Sequence, residues 1–436
     1  TEIYTLSLHD ALPISHMPIG VGVIGAGTVG GGVIDILLAN TGVIRDKTGA
    51  EVALKHVAEL RQELLSDFDL SGVRVSPDAA DLIADPEVQV VCELIGGVKA
   101  ARTLILQALE AGKHVVTANK MLLAMHGREL AEAAARNGVE LRYEAAVAGT
   151  IPIIKAIREG LVANHIHAVY GILNGTCNYI LSRMTYEGKE FDEVLKQAQA
   201  LGFAETPPDL DVEGHDTAHK CQILASLCHS SYVPLERVYV EGITRITHLD
   251  VAYAREMGCL IKLLAVVRRV EGEIEARVHP MLVPETHLLA SVRNEFNAVY
   301  VESDCADATL YYGRGAGRLP TASAVVSDIV DIAVRGGGPA RAPFQYTHEI
   351  PVRDIGLLEG RYYLRLTTRD HPGVLGKVCT VLGTHGVSIA SCIQKDTAPG
   401  EPVHVVLMTH ESVESSVAAA VAEIDGLEFI EAPTQL

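Results

Sequence analysis

The chain contains no tryptophan, and aromatic residues make up only 5% of it. Proteins that stack nucleic-acid bases on aromatic platforms need more than that. Positive charge is also short, with 36 Lys and Arg against 55 Asp and Glu, a formal charge of −19. Nucleic acids and anionic membrane surfaces attract basic faces, so both are excluded as partners. No apolar run reaches the roughly 20 residues that a membrane-crossing helix needs. The eight cysteines form no C-x-x-C pair and no metal-type spacing, which is the usage of reduced thiols in a cytoplasm. What is present is 436 residues, 48% of them hydrophobic, enough for two or three domains with large cores. Residues 1–17 have neither the basic start nor the small-residue cleavage site of a secretory leader. They read as a non-native or disordered extension.

An apolar run, Ile19–Ile24, leads into Gly25-Ala-Gly-Thr-Val-Gly30 and then an amphipathic run to about Leu38. Strand, glycine loop and helix in that order give G-x-G-x-x-G its meaning as a dinucleotide site. Gly25 permits the tight turn, Gly27 lets the backbone approach a pyrophosphate, and Gly30 lets helix and strand come close. The helix N-terminus then offers N–H groups to the phosphates. Residues 40–50 read as a loop insertion. A second strand, Val52–Ala58, ends at Glu59-Leu-Arg61. An acid there suits the ribose hydroxyls of NAD and an arginine suits the extra phosphate of NADP, so the residues leave that choice open. Further strands at Val88–Leu94, leading to Ile95-Gly96-Gly97, at His114–Thr117 and at Glu140–Glu144 alternate with helices at Ala100–Ala111 and Gly127–Asn137. That alternation predicts an α/β, Rossmann-type doubly wound parallel sheet. Lys120, just past a strand, falls at the carboxyl edge where such folds bind ligands.

From about residue 149 the texture changes to an α+β substrate domain. Pro152 starts a helix, the strand His167–Leu173 runs into Asn174-Gly-Thr-Cys-Asn178, and strand-like segments continue through Ala298–Glu302. The helix Thr321–Val334 returns to the nucleotide domain. The most telling stretch is Gly202–Ala225, an acid-rich loop with Glu205, Asp209, Asp211 and Glu213, followed by a helix in which Asp216 and Lys220 stand four apart. Such a spacing puts both on one helical face. A lysine on a buried helix among carboxylates is pulled down by burial and up by its neighbours, and the balance sets whether it exchanges a proton near neutrality. The plain alternative is an ordinary surface ion pair. His215 and His219 share the same spacing but lack the glutamate of H-E-x-x-H, so a helical surface or core role fits them better than metal ligation. Cys177 has no basic neighbour in the sequence and reads as an inert thiol. From Arg361 the order βαββαβ predicts a ferredoxin-like unit. The chain ends soon after Phe429, which leaves little length for its last strand.

GAGTVG, ELIGG, HVVTANK, AVAGTIPII, GILNGTCNYI, GFAE…DLDVEGHDTAHK and YGRGAGRLPTASAVV occur in the order seen in homoserine dehydrogenases, and residues 19–337 resemble that family. RDHPGVLGKV and HGVSI make the tail resemble an ACT regulatory domain. The resemblance implies reversible NAD(P)H-dependent reduction of L-aspartate 4-semialdehyde to L-homoserine, on the route to threonine, methionine and isoleucine. It implies that Lys220 donates the proton, that Asp216 and Lys120 assist, and that Glu205, Asp211, Gly175 and Thr176 hold substrate. Its cofactor contacts fall on Gly25, Ala26, Gly27, Thr28, Val29, Gly30, Glu59, Arg61, Gly96, Lys120 and Gly315. A monovalent cation (sodium) site would use Glu144 with backbone oxygens of Val147, Gly149 and Ile151. The implied division is 18–148 for the nucleotide domain with 318–340 returning, 149–317 for the substrate and dimerisation domain, 341–358 for a linker and 359–436 for ACT. The implied assembly is a homodimer or homotetramer with an amino-acid effector, threonine. One departure is local: Ala204-Glu-Thr-Pro-Pro208 stands where the family commonly reads AE-x-DP. A hydroxyacid or amino-acid dehydrogenase with an ACT tail, or a cofactor-sensing regulator, would share the glycine loop and tail but not GILNGTCNYI.

Overall fold

The computed structural model describes residues 18–335, 345–395 and 402–436. The N-terminal extension, and parts of the returning segment and of the linker, lie outside them. The chain divides into two compact units, one formed by the residues up to Lys155 together with Arg314–Gln345, the other by Ala156–Gly313 with Tyr346–Leu436.

The first unit is built on six strands, β1 (Ile19–Ile24), β2 (Val52–Ala58), β3 (Arg74–Ser76), β4 (Val90–Glu93), β5 (His114–Thr117) and β6 (Leu141–Arg142). Their order is β3-β2-β1-β4-β5-β6, and every neighbouring pair is parallel. This is the doubly wound order, in which the reversal between β1 and β4 opens a crevice at the strands' carboxyl ends. β1 is buried along its whole length. Helix Arg318–Val334 lies against helix Thr28–Ala39 and adds Val325 and Ile329 to the same core as Val23, Ile34 and Val57. A Cβ on Gly32 would come within 2.8 Å of the Arg318 carbonyl, so only glycine allows so close a crossing. The loop expected at 40–50 is instead a helix, Thr41–Thr48, ended by Gly49 in the left-handed region. Only Ile44 of that helix is buried, too little apolar pattern to announce it.

In the second unit β7 (Ile166–Ile172), β8 (Tyr239–Val240), β9 (Cys259–Val270), β10 (Glu273–Pro284), β11 (Phe296–Ser303) and β12 (Asp307–Arg314) form a mixed sheet ordered β12-β11-β7-β9-β10-β8. Helices Gly175–Glu187 and His215–His229 lie against it. The tail contributes β13 (Glu359–Gly360), β14 (Tyr363–Thr368), β15 (Ile389–Gln394), β16 (Val403–Thr409), β17 (Ser412–Val413) and β18 (Ile430–Gln435). Four of them form an antiparallel sheet, β15-β16-β14-β18. Two helices, Val374–Thr384 and Glu414–Asp425, pack over it around Leu366, Val378, Leu407 and Val417. The final strand is therefore present, six residues long and paired to β14.

The tail is fastened to the substrate domain through a buried carboxylate. Asp250 closes a capping box with Thr247 at the head of helix His248–Glu256. It also accepts from Arg365 Nε at 2.6 Å and from the Tyr363 hydroxyl at 2.8 Å. Burial pushes this carboxyl up, but Arg365 and Thr247 outweigh it and hold the group below the usual range. Its stabilisation is thus present above the ordinary carboxylate pKa of ~3.9 and lost as pH falls through the lower folded value. Asp250→Ala would leave Arg365 buried without its counter-charge, and a loss of about 3 kcal/mol is expected in urea unfolding at neutral pH. A loss within error would show that the ion pair does not fasten the tail.

Candidate active site

β1 delivers Gly25 at φ 91°, where an added Cβ would meet Ile95 Cγ2 at 2.9 Å and the Leu94 carbonyl at 3.0 Å. Nothing lies within 4 Å of a Cβ built on Gly27, so that side of the loop is open. A Cβ on Gly30 would stand 1.8 Å from the Gly25 carbonyl. Turn, open approach and tight contact are thus divided among the three glycines as their spacing suggests. Val29 packs against the core, while Ala26 and Thr28 face a cavity of about 420 Å³ shared with Arg61, Phe68 and Arg318. Glu59 is buried at the end of β2. Its two oxygens accept from Ala26 N at 2.6 Å and Arg61 N at 2.9 Å, so the carboxylate clamps the glycine loop to the strand.

At the end of β4, burial pushes the Glu93 carboxyl up, partly offset by Thr117 and the N–H groups of Ile95 and Gly96. Gly96 and Gly97 turn the chain at φ 72° and 70°. Asn119 caps helix Lys120–Asn137 and donates to the Gly97 carbonyl at 2.6 Å, joining the ends of β4 and β5. Lys120 is the first residue of that helix, at the carboxyl edge of the sheet. Gly315 backs onto Gly149, whose Cβ would lie 2.4 Å from the Gly315 carbonyl.

Glu144 is buried, and its carboxylate accepts from Ile154 N at 2.8 Å and Lys155 N at 2.9 Å. Burial and the neighbouring Asp328 push its pKa up to about 7. Ala148 and Gly149 are both left-handed. No backbone donor among the described residues reaches the Val147 or Gly149 carbonyls, whereas Ile151 O accepts from Ile153 N. A carboxylate and backbone carbonyls are the oxygen donors that a hard cation takes.

The second unit holds the lysine. β7 ends at Ile172, Leu173 and Asn174 follow it, and Asn174 caps helix Gly175–Glu187 by accepting from Cys177 N at 2.8 Å. Its Nδ2 donates to Asp211 Oδ1 at 2.7 Å and to Asp216 Oδ2 at 2.9 Å. Lys220, also buried, donates from Nζ to Asp216 Oδ2 at 2.7 Å and to the Leu173 carbonyl at 2.6 Å. One ammonium is thus held by a carboxylate and a strand-end carbonyl, and Asn174 fixes both aspartates. The surface-pair reading of Asp216 and Lys220 fails because both are buried. Thr176 donates to the Phe203 carbonyl and tethers the loop that carries Glu205, whose side chain is exposed. Gly175 leaves no room for a side chain, since a Cβ would meet the Glu295 carbonyl at 2.7 Å. Burial raises the Cys177 thiol well above its ordinary value, and its Sγ donates to the Asp211 carbonyl. His215 is exposed and His219 buried.

Sequence reasoning passed over Asn174 as an organiser, although an Asn closing a strand before a helix is an N-cap signal. It also missed Lys262, buried on β9 and held by Asn178 Oδ1 at 3.0 Å and the Val292 carbonyl, with burial lowering its pKa to about 8. Its flanking residues on β9, Ile261 and Leu263, are apolar and do not announce it before the fold brings Asn178 across.

A glycine loop on a doubly wound sheet, together with a buried lysine held among carboxylates, defines a nicotinamide-dependent oxidoreductase. Residues 152–330 match the family described as homoserine dehydrogenase, and residues 25–144 match its NAD binding domain. Residues 362–429 match the ACT domain. A homoserine dehydrogenase of Pseudomonas aeruginosa is 44% identical over 424 residues, 95% of this chain and 97% of that protein. One of Bacillus subtilis is 38% identical over 95% of this chain and 96% of its own. A crystal structure of a homoserine dehydrogenase from Thiobacillus denitrificans superposes with a TM-score of 0.91 at 44% identity, covering 96% of this chain and 97% of that one. The chain belongs to the homoserine dehydrogenase family. Among the described residues no helix is long and apolar enough to cross a membrane.

Proposed function

We propose that the Lys220 centre catalyses the reversible reduction of L-aspartate 4-semialdehyde to L-homoserine, and that the buried Asp216–Lys220–Leu173 contact carries this reading. The nicotinamide, when bound, supplies or removes the hydride. As the aldehyde oxygen gains charge, the Lys220 ammonium stabilises it and passes it a proton. Asp216 and the Leu173 carbonyl aim Nζ, and Asn174 keeps Asp216 and Asp211 from drifting. In the reverse direction neutral Lys220 accepts the alcohol proton, so homoserine oxidation is favoured at alkaline pH. Glu205, exposed on its tethered loop, takes the substrate ammonium. Lys120 belongs to the cofactor site. Glu59 is turned to backbone amides, and Arg61 lines the cavity beside Thr28 together with Glu63, Asp67 and an Arg318 held by Asp35 at 2.8 Å, so NADP and NAD are both carried into the test. Initial rates with the semialdehyde and NADPH or NADH, with and without threonine, test activity, cofactor choice and feedback together. Absence of turnover with either cofactor would remove the reading. Feedback through the ACT domain, a homodimer or homotetramer, and a cytoplasmic setting complete it; the eight free thiols support the last.

The resemblance also supports a sodium site at Glu144 with the carbonyls of Val147, Gly149 and Ile151. A carboxyl whose folded pKa is raised contributes fully below its ordinary value of ~4.3 and loses that contribution as pH rises. For Glu144 the loss runs up to about pH 7, and Asp328, pushed up by burial to about 6, adds to it. In choline chloride the melting temperature should therefore fall from about pH 5 to about pH 8. Sodium chloride should restore it at the higher pH and do nothing at the lower, because only the ionised carboxylate binds. Equal melting curves in the two salts at alkaline pH would refute the site.

A further inference from the structure

Lys262 stands between Leu260 and Leu264 on one face of β9 and is as buried as they are. Burying an amine there has a free-energy cost that an apolar side chain would not carry. Two acceptors meet it, the Asn178 side-chain oxygen at 3.0 Å and the Val292 carbonyl. Burial, and after it the Arg293 guanidinium, lower its pKa to about 8. A neutral amine keeps two N–H groups, one for each acceptor, so both contacts hold with or without the extra proton.

Asn178 is the residue on which this lysine acts. With its oxygen taken by Lys262, its Nδ2 faces the carbonyls of Asn294 at 2.9 Å, Phe296 at 3.1 Å and Val292 at 3.4 Å. Without the lysine the amide is free to turn over and set its oxygen against those carbonyls, where no donor remains. Ser182, one turn further along the helix, donates to the Asn178 carbonyl at 2.6 Å and accepts from Asn294 N at 3.1 Å. Segment 292–296 is thus strapped to helix Gly175–Glu187 at two levels, with Asn294 held at φ 55°. The strap reaches the Lys220 centre through the head of that helix. A Cβ on Gly175 would lie 2.7 Å from the Glu295 carbonyl, so segment and first turn are in contact. Asn174 caps the same helix and donates to Asp211 and Asp216, and Asp216 holds Lys220. A tilt or slide of the helix head therefore moves both aspartates.

We propose that Lys262 is a positioning residue for the reaction, acting through Asn178 to fix the helix head that carries Asn174 and so the aim of Lys220. The inference rests on the reading that the Lys220 centre reduces the semialdehyde. Lys262→Met keeps the volume and removes both donated bonds. Steady-state rates of the folded full chain with the semialdehyde and NADPH should show kcat lowered about 10- to 100-fold, because a small misplacement at a distance is felt at the reacting atoms. NADPH affinity should be unchanged. Asn178→Ala should lower kcat by a similar factor, and the double variant should be no slower than the slower single one, since both changes cut the same link. A lysine with a purely structural role would instead lower the melting temperature and leave kcat per folded molecule as it was. Normal kcat in a folded Lys262→Met protein, or factors that multiply in the double variant, overturns the role while leaving the function of Lys220 intact. Absence of turnover in the unaltered chain overturns the semialdehyde reading and this role with it. Should Lys262→Met fail to fold, Ser182→Ala decides, because it loosens the Asn294 end of the strap alone. A kcat lowered about fivefold supports the role, and an unchanged kcat overturns it.

Discussion

Lys220→Ala is expected to lower the rate of semialdehyde reduction by about 10³-fold or more while leaving NADPH binding intact. The side chain combines proton donation with charge stabilisation, and the alanine variant loses both. It also deprives the buried Asp216 carboxylate of its ammonium while the bond from Asn174 stays, so some loss of stability accompanies the change. Lys220→Arg separates the two effects. The guanidinium keeps the positive charge beside Asp216 but does not release a proton near neutrality, so turnover should stay low while stability recovers. Single-turnover rates with NADPH, alongside fluorescence titration of the cofactor, make the comparison. If the arginine variant works at near-normal rate, Lys220 stabilises charge without transferring the proton.

The second large effect is expected at the glycine loop. Gly30→Ala would drive a methyl group to 1.8 Å from the Gly25 carbonyl, a contact the backbone must open to relieve. Cofactor affinity should fall by about 100-fold, and the melting temperature should fall with it. Gly27→Ala is the matched control, since its Cβ meets nothing in the protein. That variant should melt like the parent yet bind cofactor poorly, because its methyl occupies the approach to the pyrophosphate. Equal melting temperatures for all three proteins would mean that Gly30 is not held by packing.

The parallel sheet, the glycine loop and the Asp216–Lys220 pair were legible because each is written in local spacing. Period and punctuation mark strand, turn and helix without help from the rest of the chain. What escaped notice depends on partners far along the sequence. Arg365 and Asp250 are 115 residues apart and look like two unrelated charges until β14 meets helix His248–Glu256. Glu59 reads as a ribose acceptor by position, yet it bonds to Ala26, 33 residues earlier. The edge strand Arg74–Ser76 is three residues long, too short for alternation to show. Lys262 sits among hydrophobic neighbours, and only its burial against Asn178 gives it meaning.

Helix Arg318–Val334 has a bearing on how the polypeptide is made. Its Val325 and Ile329 complete a core whose other members, such as Val23 and Val57, emerge from the ribosome some three hundred codons earlier. Until that late segment arrives, the apolar flank of helix Thr28–Ala39 has no cover, and a nascent chain halted before residue 318 carries it exposed. Such a fragment should bind a hydrophobic dye and pellet with chaperones, whereas one extended through residue 335 should do neither. Synthesis of the nucleotide-binding half therefore finishes only after nearly all of the substrate-binding half has been translated.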